Sequence, residues 1–242
     1  MLKTHIIIPC YNESDRLPRQ DLVDFIEASP WASVGLVNDG SADDTIAVLR
    51  ELQREHPDRI DVHDLAQNVG KAEAVRCGVL DSRHREYDLV GYLDADFATP
   101  PRTLEAMVPA FGAQHKVVVG SRVRRAGAKI ERSVFRHYLG RSFATVATIT
   151  LGVSLYDTQC GAKLFARDVA FELFSEPFLT RWLFDLELLM RLKALVGPDA
   201  FSEMIYEYPL SEWIEKGDSR LRPKDLITVP YDLMRLRRAY RR

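Results

Sequence analysis

The chain contains only three cysteines, Cys10, Cys77 and Cys160, spread so widely that no CxxC or CxxH pair exists. This excludes the usual structural zinc patterns, offers no disulfide framework and fits a reducing compartment. Net charge is also small: at −2 there is no global field to attract nucleic acid, so any basic patch must be local. No apolar run reaches the roughly 18–20 residues that a membrane-spanning helix needs. The longest candidate, residues 143–155, is broken by Thr145, Thr148, Thr150, Gly152 and Ser154, and reads as a buried helix or an interfacial segment. The first residues run directly into a strand without a signal-peptide pattern. Internal repeats, low-complexity linkers and composition breaks are absent as well. The expectation is a single cytoplasmic domain.

What is present suits a folded soluble protein: 242 residues, 46% hydrophobic and 28% charged. A chain of this length buries most of its apolar surface without covalent staples. Short β-rich runs at 5–9, 34–38, 60–64, 89–93 and 116–120 alternate with helical spacing at 21–28, 43–56, 71–82 and 102–111. Alternation of that kind predicts an α/β fold, a Rossmann-like, mainly parallel sheet flanked by helices. Beyond Gly120 the pattern changes. Residues 122–136 are basic, 133–153 and 182–195 read as helices, 157–165 turn from polar to strand-like, 203–208 suit an edge strand, and 224–240 form an amphipathic helix with a basic end.

In such sheets ligands collect outside the carboxyl ends of the strands. Polar clusters fall at those positions: Cys10-Tyr11-Asn12-Glu13, Asp39-Gly40-Ser41, Asn68-Val69-Gly70-Lys71 and Asp94-Ala95-Asp96. One such cluster is an ordinary turn; a succession on one rim predicts a binding site. In extended backbone Asp94 and Asp96 project to one side, and two unpaired carboxylates there repel unless a divalent cation relieves them. Hard oxygen ligands suit Mg2+ or Mn2+ with phosphates completing the shell. Alone, Asp-x-Asp equally suits a solvated pair capping the next helix. Ser41, Asp43 and Asp44 suit a helix start, whereas Asp39 is free to accept from a base or ribose. Gly70-Lys71 at a helix start suits a phosphate.

The basic segment has its own alternatives. Arg122, Arg124, Arg125, Lys129, Arg132 and Arg136 suit a solvated face, but Arg132 and Arg136, four apart, are also placed to clamp a phosphate. The lack of interleaved aromatics disfavours single-stranded nucleic acid. Asp157-Thr158-Gln159-Cys160-Gly161 links an apolar helix to a strand. Asp185 and Glu187 sit in an otherwise apolar helix and need partners, either a core arginine or a substrate.

Taken in order, Pro9-Cys10-Tyr11-Asn12-Glu13, Val37-Asn38-Asp39-Gly40-Ser41, Asn68-Val69-Gly70-Lys71, Asp94-Ala95-Asp96 with Pro100-Pro101, Gly120-Ser121-Arg122 and Asp157-Thr158-Gln159-Cys160-Gly161-Ala162-Lys163-Leu164-Phe165 resemble the family 2 inverting glycosyltransferases with a GT-A fold. The last stretch is similar to the dolichyl-phosphate glucosyltransferase and polyprenyl-phosphate hexose synthase branch. The resemblance implies a donor half over residues 1–120 and an acceptor half over 121–242. It implies that Pro9, Tyr11, Glu13 and Asp39 hold the nucleoside of a UDP-hexose, and that Lys71, Asp94 and Ala95 position diphosphate and sugar. Asp96, with Asp94, would ligate Mg2+ or Mn2+. Arg122, Arg132, Arg136 and Gln159 would meet the acceptor phosphate, with Asp157 and Asp185 nearby as base or orienting groups.

This sequence departs from the family in two respects. Gly70-Lys71-Ala72 replaces the family's Gly-Lys-Gly, and the transmembrane segment common in that branch has no counterpart here. A polyprenyl phosphate acceptor would then require peripheral attachment, for which the helix at 133–155 and the basic C-terminus suit; packing on the protein body or a homo-oligomer interface is the alternative. Rival readings are transfer to a soluble or saccharide hydroxyl and a catalytically silent sugar-nucleotide binder. A nucleotidyltransferase lacks its glycine-rich, basic N-terminal signature here.

Overall fold

The structure, a computed structural model, describes residues 1–112, 114–131, 134–216 and 223–240, with backbone alone for 134–142 and 223–227. The chain forms β1 (Thr4–Cys10), α1 (Arg19–Ala28), β2 (Ala32–Asp39), α2 (Thr45–Glu55), β3 (Ile60–Leu65), α3 (Lys71–Asp81), β4 (Leu89–Leu93), α4 (Thr103–Met107) and β5 (Val117–Ser121). There follow β6 (Lys129–Glu131), α5 (Val134–Leu151), β7 (Ala162–Ala166), α6 (Arg167–Leu173), α7 (Phe184–Val196), α8 (Pro198–Met204), β8 (Ile205–Pro209), β9 (Glu212–Ile214) and α9 (Pro223–Ala239). Each strand of the first half lies where the sequence predicts it, within two residues at either end.

The main sheet has the order β3-β2-β1-β4-β7-β5-β8. Its pairs are parallel except where β7 runs antiparallel to both β4 and β5. Strands of both sequence halves therefore share one sheet. The chain moves outward from β1 to β3, then crosses back to β4 on the other side of β1, placing the switch point between β1 and β4. Right-handed crossovers in opposite directions put helices on opposite faces. Accordingly α1 and α2 pack on one face and α3 on the other; α6 and α7 join α3, while α4 lies on the face of α1 and α2.

Alternation along β1 feeds both cores: Ile6 and Ile8 enter one, Ile7 the other, all within 1% of full burial. A strand buried on both sides reads as a continuous apolar run, as residues 6–8 do. Each such side chain contributes about 1.5–3 kcal/mol.

The sequence reading missed several elements. A small second sheet pairs β6 with β9 in parallel, and its strands are three residues each. The α6 and α8 helices, seven residues each, also carried too short a period to read. Among the described residues no helix is long and apolar enough to cross a membrane.

Candidate active site

The loops after β1 and β2 are stitched together. Asn12 donates its N–H to Ser41 Oγ (3.0 Å) and accepts from the Ala42 N–H at Oδ1 (2.9 Å). Glu13 N–H donates to Thr45 Oγ1 (2.8 Å), and Ser14 N–H to Asp43 Oδ2 (3.2 Å). Asn12 adopts a left-handed φ of 49°, which asparagine tolerates better than most residues. These bonds set the loop carrying Tyr11 and Glu13 against the one carrying Asp39. Ser41 does not cap the helix as expected, because α2 begins only at Thr45. Asp43 takes the Thr45 N–H instead, in an Asx-type turn.

Asp39, 2% exposed, was expected to face a base or ribose. Its carboxylate organises the turn before α3. Oδ1 accepts from the Val69 N–H (2.7 Å), and Oδ2 accepts from the Gly70 N–H (2.9 Å) and Asn68 Nδ2 (3.0 Å). Three of about four lone-pair sites on the carboxylate are thereby used, leaving one for a ligand. Burial pushes its pKa up, against the lowering effect of the Val69 and Gly70 N–H groups and of Arg181. Gly70 has φ 91°, and a Cβ there would lie 2.7 Å from Arg181 Nη2. Arg181 thus lies over the turn, with Nη2 3.4 Å from Asn68 Oδ1.

Lys71 opens α3 and reaches Asp94, Nζ to Oδ1 2.5 Å. Its ammonium also sits 5.6 Å from the Phe184 ring centroid. Burial disfavours the charged lysine, but Asp94 first and Asp185 next outweigh it and raise its pKa. The Asp94 and Asp96 carboxylates do not project from extended backbone as predicted. β4 ends at Leu93, and Asp94 starts a turn closed by Phe97 N–H to Asp94 O (3.2 Å), with Phe97 at φ 47°. The turn still brings the charges close: burial and then Asp94 push the Asp96 pKa up. Among the described residues no group of three or more acidic, His or Cys side chains converges as a metal cage. Two hard carboxylates fit Mg2+ or Mn2+ only where phosphate oxygens and water complete the shell.

Because β7 is antiparallel, the loop before it lies at the rim where β4 ends. Asp157, 7% exposed, is filled on both oxygens. Arg122 donates from N (3.2 Å) and Nε (2.5 Å) to Oδ2 and from Nη2 to Oδ1 (2.8 Å), and Gln159 N–H adds a fourth bond at Oδ1 (3.2 Å). Glu207 on β8 takes the N–H groups of Tyr156 and Asp157. Trp213 of β9 lies under the guanidinium, 5.3 Å away. Burial opposes the charge on Arg122, yet Asp157 raises its pKa. Asp157 is thus held by Arg122, and the guanidinium is bonded to it through Nε and Nη2. Gln159 Nε2 is buried with no hydrogen-bond partner among the described residues.

Asp185, 4% exposed, accepts at Oδ1 from Tyr92 OH and Lys163 Nζ. Its partner is therefore a core lysine, neither the arginine nor the substrate that its apolar helix suggested. Glu187 does find an arginine, Arg191 (2.8 Å), together with the N–H groups of Leu179 and Thr180. Arg132 lies outside the described residues, and so does the side chain of Arg136. Sequence reading missed Arg181, Glu207 and Trp213. They reach the rim from distant elements and carried no spacing signal.

Comparison with known proteins agrees with this architecture. The family model described as Glycosyl transferase family 2 matches residues 5–174. A dolichyl-phosphate beta-glucosyltransferase of Trichomonas vaginalis is 35% identical, covering 96% of this chain and 70% of the relative. The Drosophila melanogaster dolichyl-phosphate beta-glucosyltransferase is 33% identical over 92% and 70%, and the Saccharomyces cerevisiae one 31% over 97% and 74%. Among solved structures, glucosyl-3-phosphoglycerate synthase from Mycobacterium tuberculosis in complex with Mn2+, UDP and glucosyl-3-phosphoglycerate superposes with TM-score 0.68 at 19% identity. The match covers 97% of this chain and 80% of that one, which establishes the GT-A fold. On its matched length and its relatives, the chain belongs to glycosyl transferase family 2.

Proposed function

We propose that this glycosyltransferase moves glucose or a related hexose, with inversion, from a UDP-sugar to a dolichyl or other polyprenyl phosphate. The observation that carries this reading is the Lys71–Asp94 pair with Asp96 beside it, set at the sheet's switch point and flanked by the loop from Asp157 to Gly161. The curated relatives are named for glucose transfer to dolichyl phosphate, and the structural neighbour holds Mn2+ and UDP.

On the donor side, Pro9, Tyr11 and Glu13 hold the nucleoside, and Asp39 acts by shaping the turn at Asn68–Gly70. Asp96 and Asp94, with Ala95 between them, would hold Mg2+ or Mn2+ together with the diphosphate. When bound, the cation supplies Lewis-acid neutralisation of the leaving group. Lys71 and Arg181 add fixed positive charge where charge develops, and preorganised charge of this kind costs no reorganisation during reaction.

On the acceptor side, a hydroxyl nucleophile needs a general base, and Asp157 and Asp185 are both engaged elsewhere. A phosphate monoester is anionic near neutral pH and needs none. That favours the lipid phosphate over a saccharide hydroxyl. Gln159 Nε2 is a buried donor available to the acceptor, while Arg132 and Arg136 supply further positive charge. Arg122 acts by holding Asp157 and the loop. Peripheral membrane contact is consistent with exposed Ile149 (70%) and Met234 (64%) near Arg237 and Arg238, and with exposed Tyr231 (65%) on the same helix as Met234.

Incubation with UDP- or GDP-sugars, Mn2+ or Mg2+ and a short-chain polyprenyl phosphate tests the reading. A lipid-linked sugar of inverted anomeric configuration is expected. Transfer only to a water-soluble hydroxyl would overturn the lipid acceptor, and binding without turnover would leave a silent binder.

A further inference from the structure

Tyr92 on β4 pairs in register with Lys163 on β7, so their side chains leave the sheet on one face and both reach Asp185 of α7. Lys163 is 0% exposed, and a buried ammonium needs a carboxylate and further acceptors. Asp185 supplies the first. The remaining contacts are the Cys160 carbonyl, 2.6 Å from Nζ, and the Tyr92 ring, 5.5 Å away. The backbone ladder alone suffices to pair β7 with its neighbours. The lysine adds a tether on the turn ahead of the strand, fixing the direction of the Cys160 carbonyl.

The next residue is Gly161. Its carbonyl accepts the Asp94 N–H at 3.0 Å, and a Cβ on it would lie 2.0 Å from Asp94 Oδ2 and 2.2 Å from Cγ. The Asp94 carboxylate is thus bounded on both sides, by Lys71 at Oδ1 and by the bare Cα of Gly161 at Oδ2. We propose that Lys163 is a positioning residue: anchored on Asp185, it holds the Cys160–Gly161 turn so that Gly161 sets how Asp94 faces the donor. The buried charge network under the site is then part of the donor site's geometry. This rests on the reading of Asp94 as a donor-side group.

Two variants separate this role from general stability. Gly161→Ala adds only a methyl group, at a half-buried position against the Asp94 carboxylate, and so tests the last link, from Gly161 to Asp94. The triple replacement Lys163→Met, Asp185→Leu, Tyr92→Phe removes the polar network whole, so that no buried charge is stranded. For each, three quantities are measured: the ligand-free melting temperature, the melting shift given by UDP with Mn2+, and kcat and KM for the sugar nucleotide. Both variants are expected to melt near wild type without ligand, yet to lose roughly 10- to 100-fold in apparent UDP–Mn2+ affinity or in kcat/KM, the range seen when groups orienting a ligand are removed. Wild-type UDP–Mn2+ affinity and kcat/KM in the triple variant would overturn the proposal, making Lys163 a packing residue only. If the triple variant fails to fold, the milder pair Lys163→Met, Asp185→Asn, which strands no buried charge and leaves Tyr92 OH a partner, decides in its place: unchanged affinity and turnover overturn the proposal, and their loss in a stable protein supports it. A wild-type protein showing no UDP–Mn2+ shift and no turnover would instead overturn the donor-site reading on which the proposal stands.

Discussion

The Lys71 ammonium lies 2.5 Å from Asp94 Oδ1, and both side chains are still 39% exposed. An ion pair between two elements, α3 and the end of β4, is thus reachable by a ligand. Reachability limits what the pair gives to stability, since partly exposed pairs contribute about 0–1 kcal/mol. Its placement at the switch point makes it valuable for binding charge.

Lys71→Met is therefore expected to leave the melting temperature nearly unchanged while lowering kcat by about 10²–10³, the range for removing one preorganised donor from developing negative charge. Steady-state kinetics with UDP-glucose beside a thermal melt checks this. A large loss of stability with normal kcat in the folded fraction would assign Lys71 to the scaffold.

Asp96→Ala is expected to abolish metal-dependent turnover. Among the described residues the Asp96 carboxylate, unlike that of Asp94, has no ion-pair partner; its Oδ1 accepts the Ala98 N–H at 3.0 Å. Titrating Mn2+ against activity and against UDP binding separates lost metal affinity from lost fold. Undiminished activity would refute the assigned site.

The order of the first-half elements and the gathering of polar loops on one rim were legible in the sequence because they follow from local rules. Residues 6–8 are apolar without a break since both faces of β1 are covered, and Gly70-Lys71 opens a helix as its residue types imply. What was not legible depends on which strands meet. Gly161 and Asp94 are neighbours only because β7 runs antiparallel beside β4, and no periodicity encodes that choice. Asp185 was recognised as needing a partner, but the identity of that partner, Lys163, follows from the β4–β7 register. Arg181 stayed invisible for the same reason: it faces Gly70 across more than a hundred residues of chain.

Arg122 and Asp157 are 12% and 8% exposed at their side chains, so this pair behaves differently from Lys71–Asp94. Removing one partner leaves a buried charge, at a cost of about 3–5 kcal/mol. Arg122→Met or Asp157→Leu alone is expected to lower the denaturation midpoint strongly. The double variant should recover part of the loss, giving a coupling energy in a double-mutant cycle. Additive effects would mean that the two side chains stabilise the fold independently.

His5 gives a prediction far from the chemistry. It is 2% exposed on β1, hydrogen-bonded between Nδ1 and Ser33 Oγ (2.9 Å), and stacked on Tyr87 with centroids 4.6 Å apart. Burial, and then the charge of Arg85, lowers its pKa from 6.5 to about 3. Between those values the unfolded chain binds a proton that the folded chain refuses, so stability falls as pH drops. The contribution is fully present above pH 6.5 and is lost progressively as pH falls to about 3, amounting to a few kcal/mol at roughly 1.36 kcal/mol per unit. Carboxylates also titrate in this window, so the informative quantity is a difference. His5→Gln keeps a donor and acceptor for Ser33 but cannot titrate. Its stability, measured by urea denaturation from pH 7 to pH 4, is expected to decline less steeply than wild type. Parallel curves would show that His5 is not linked to folding, and a steeper decline in the variant would reverse the assignment.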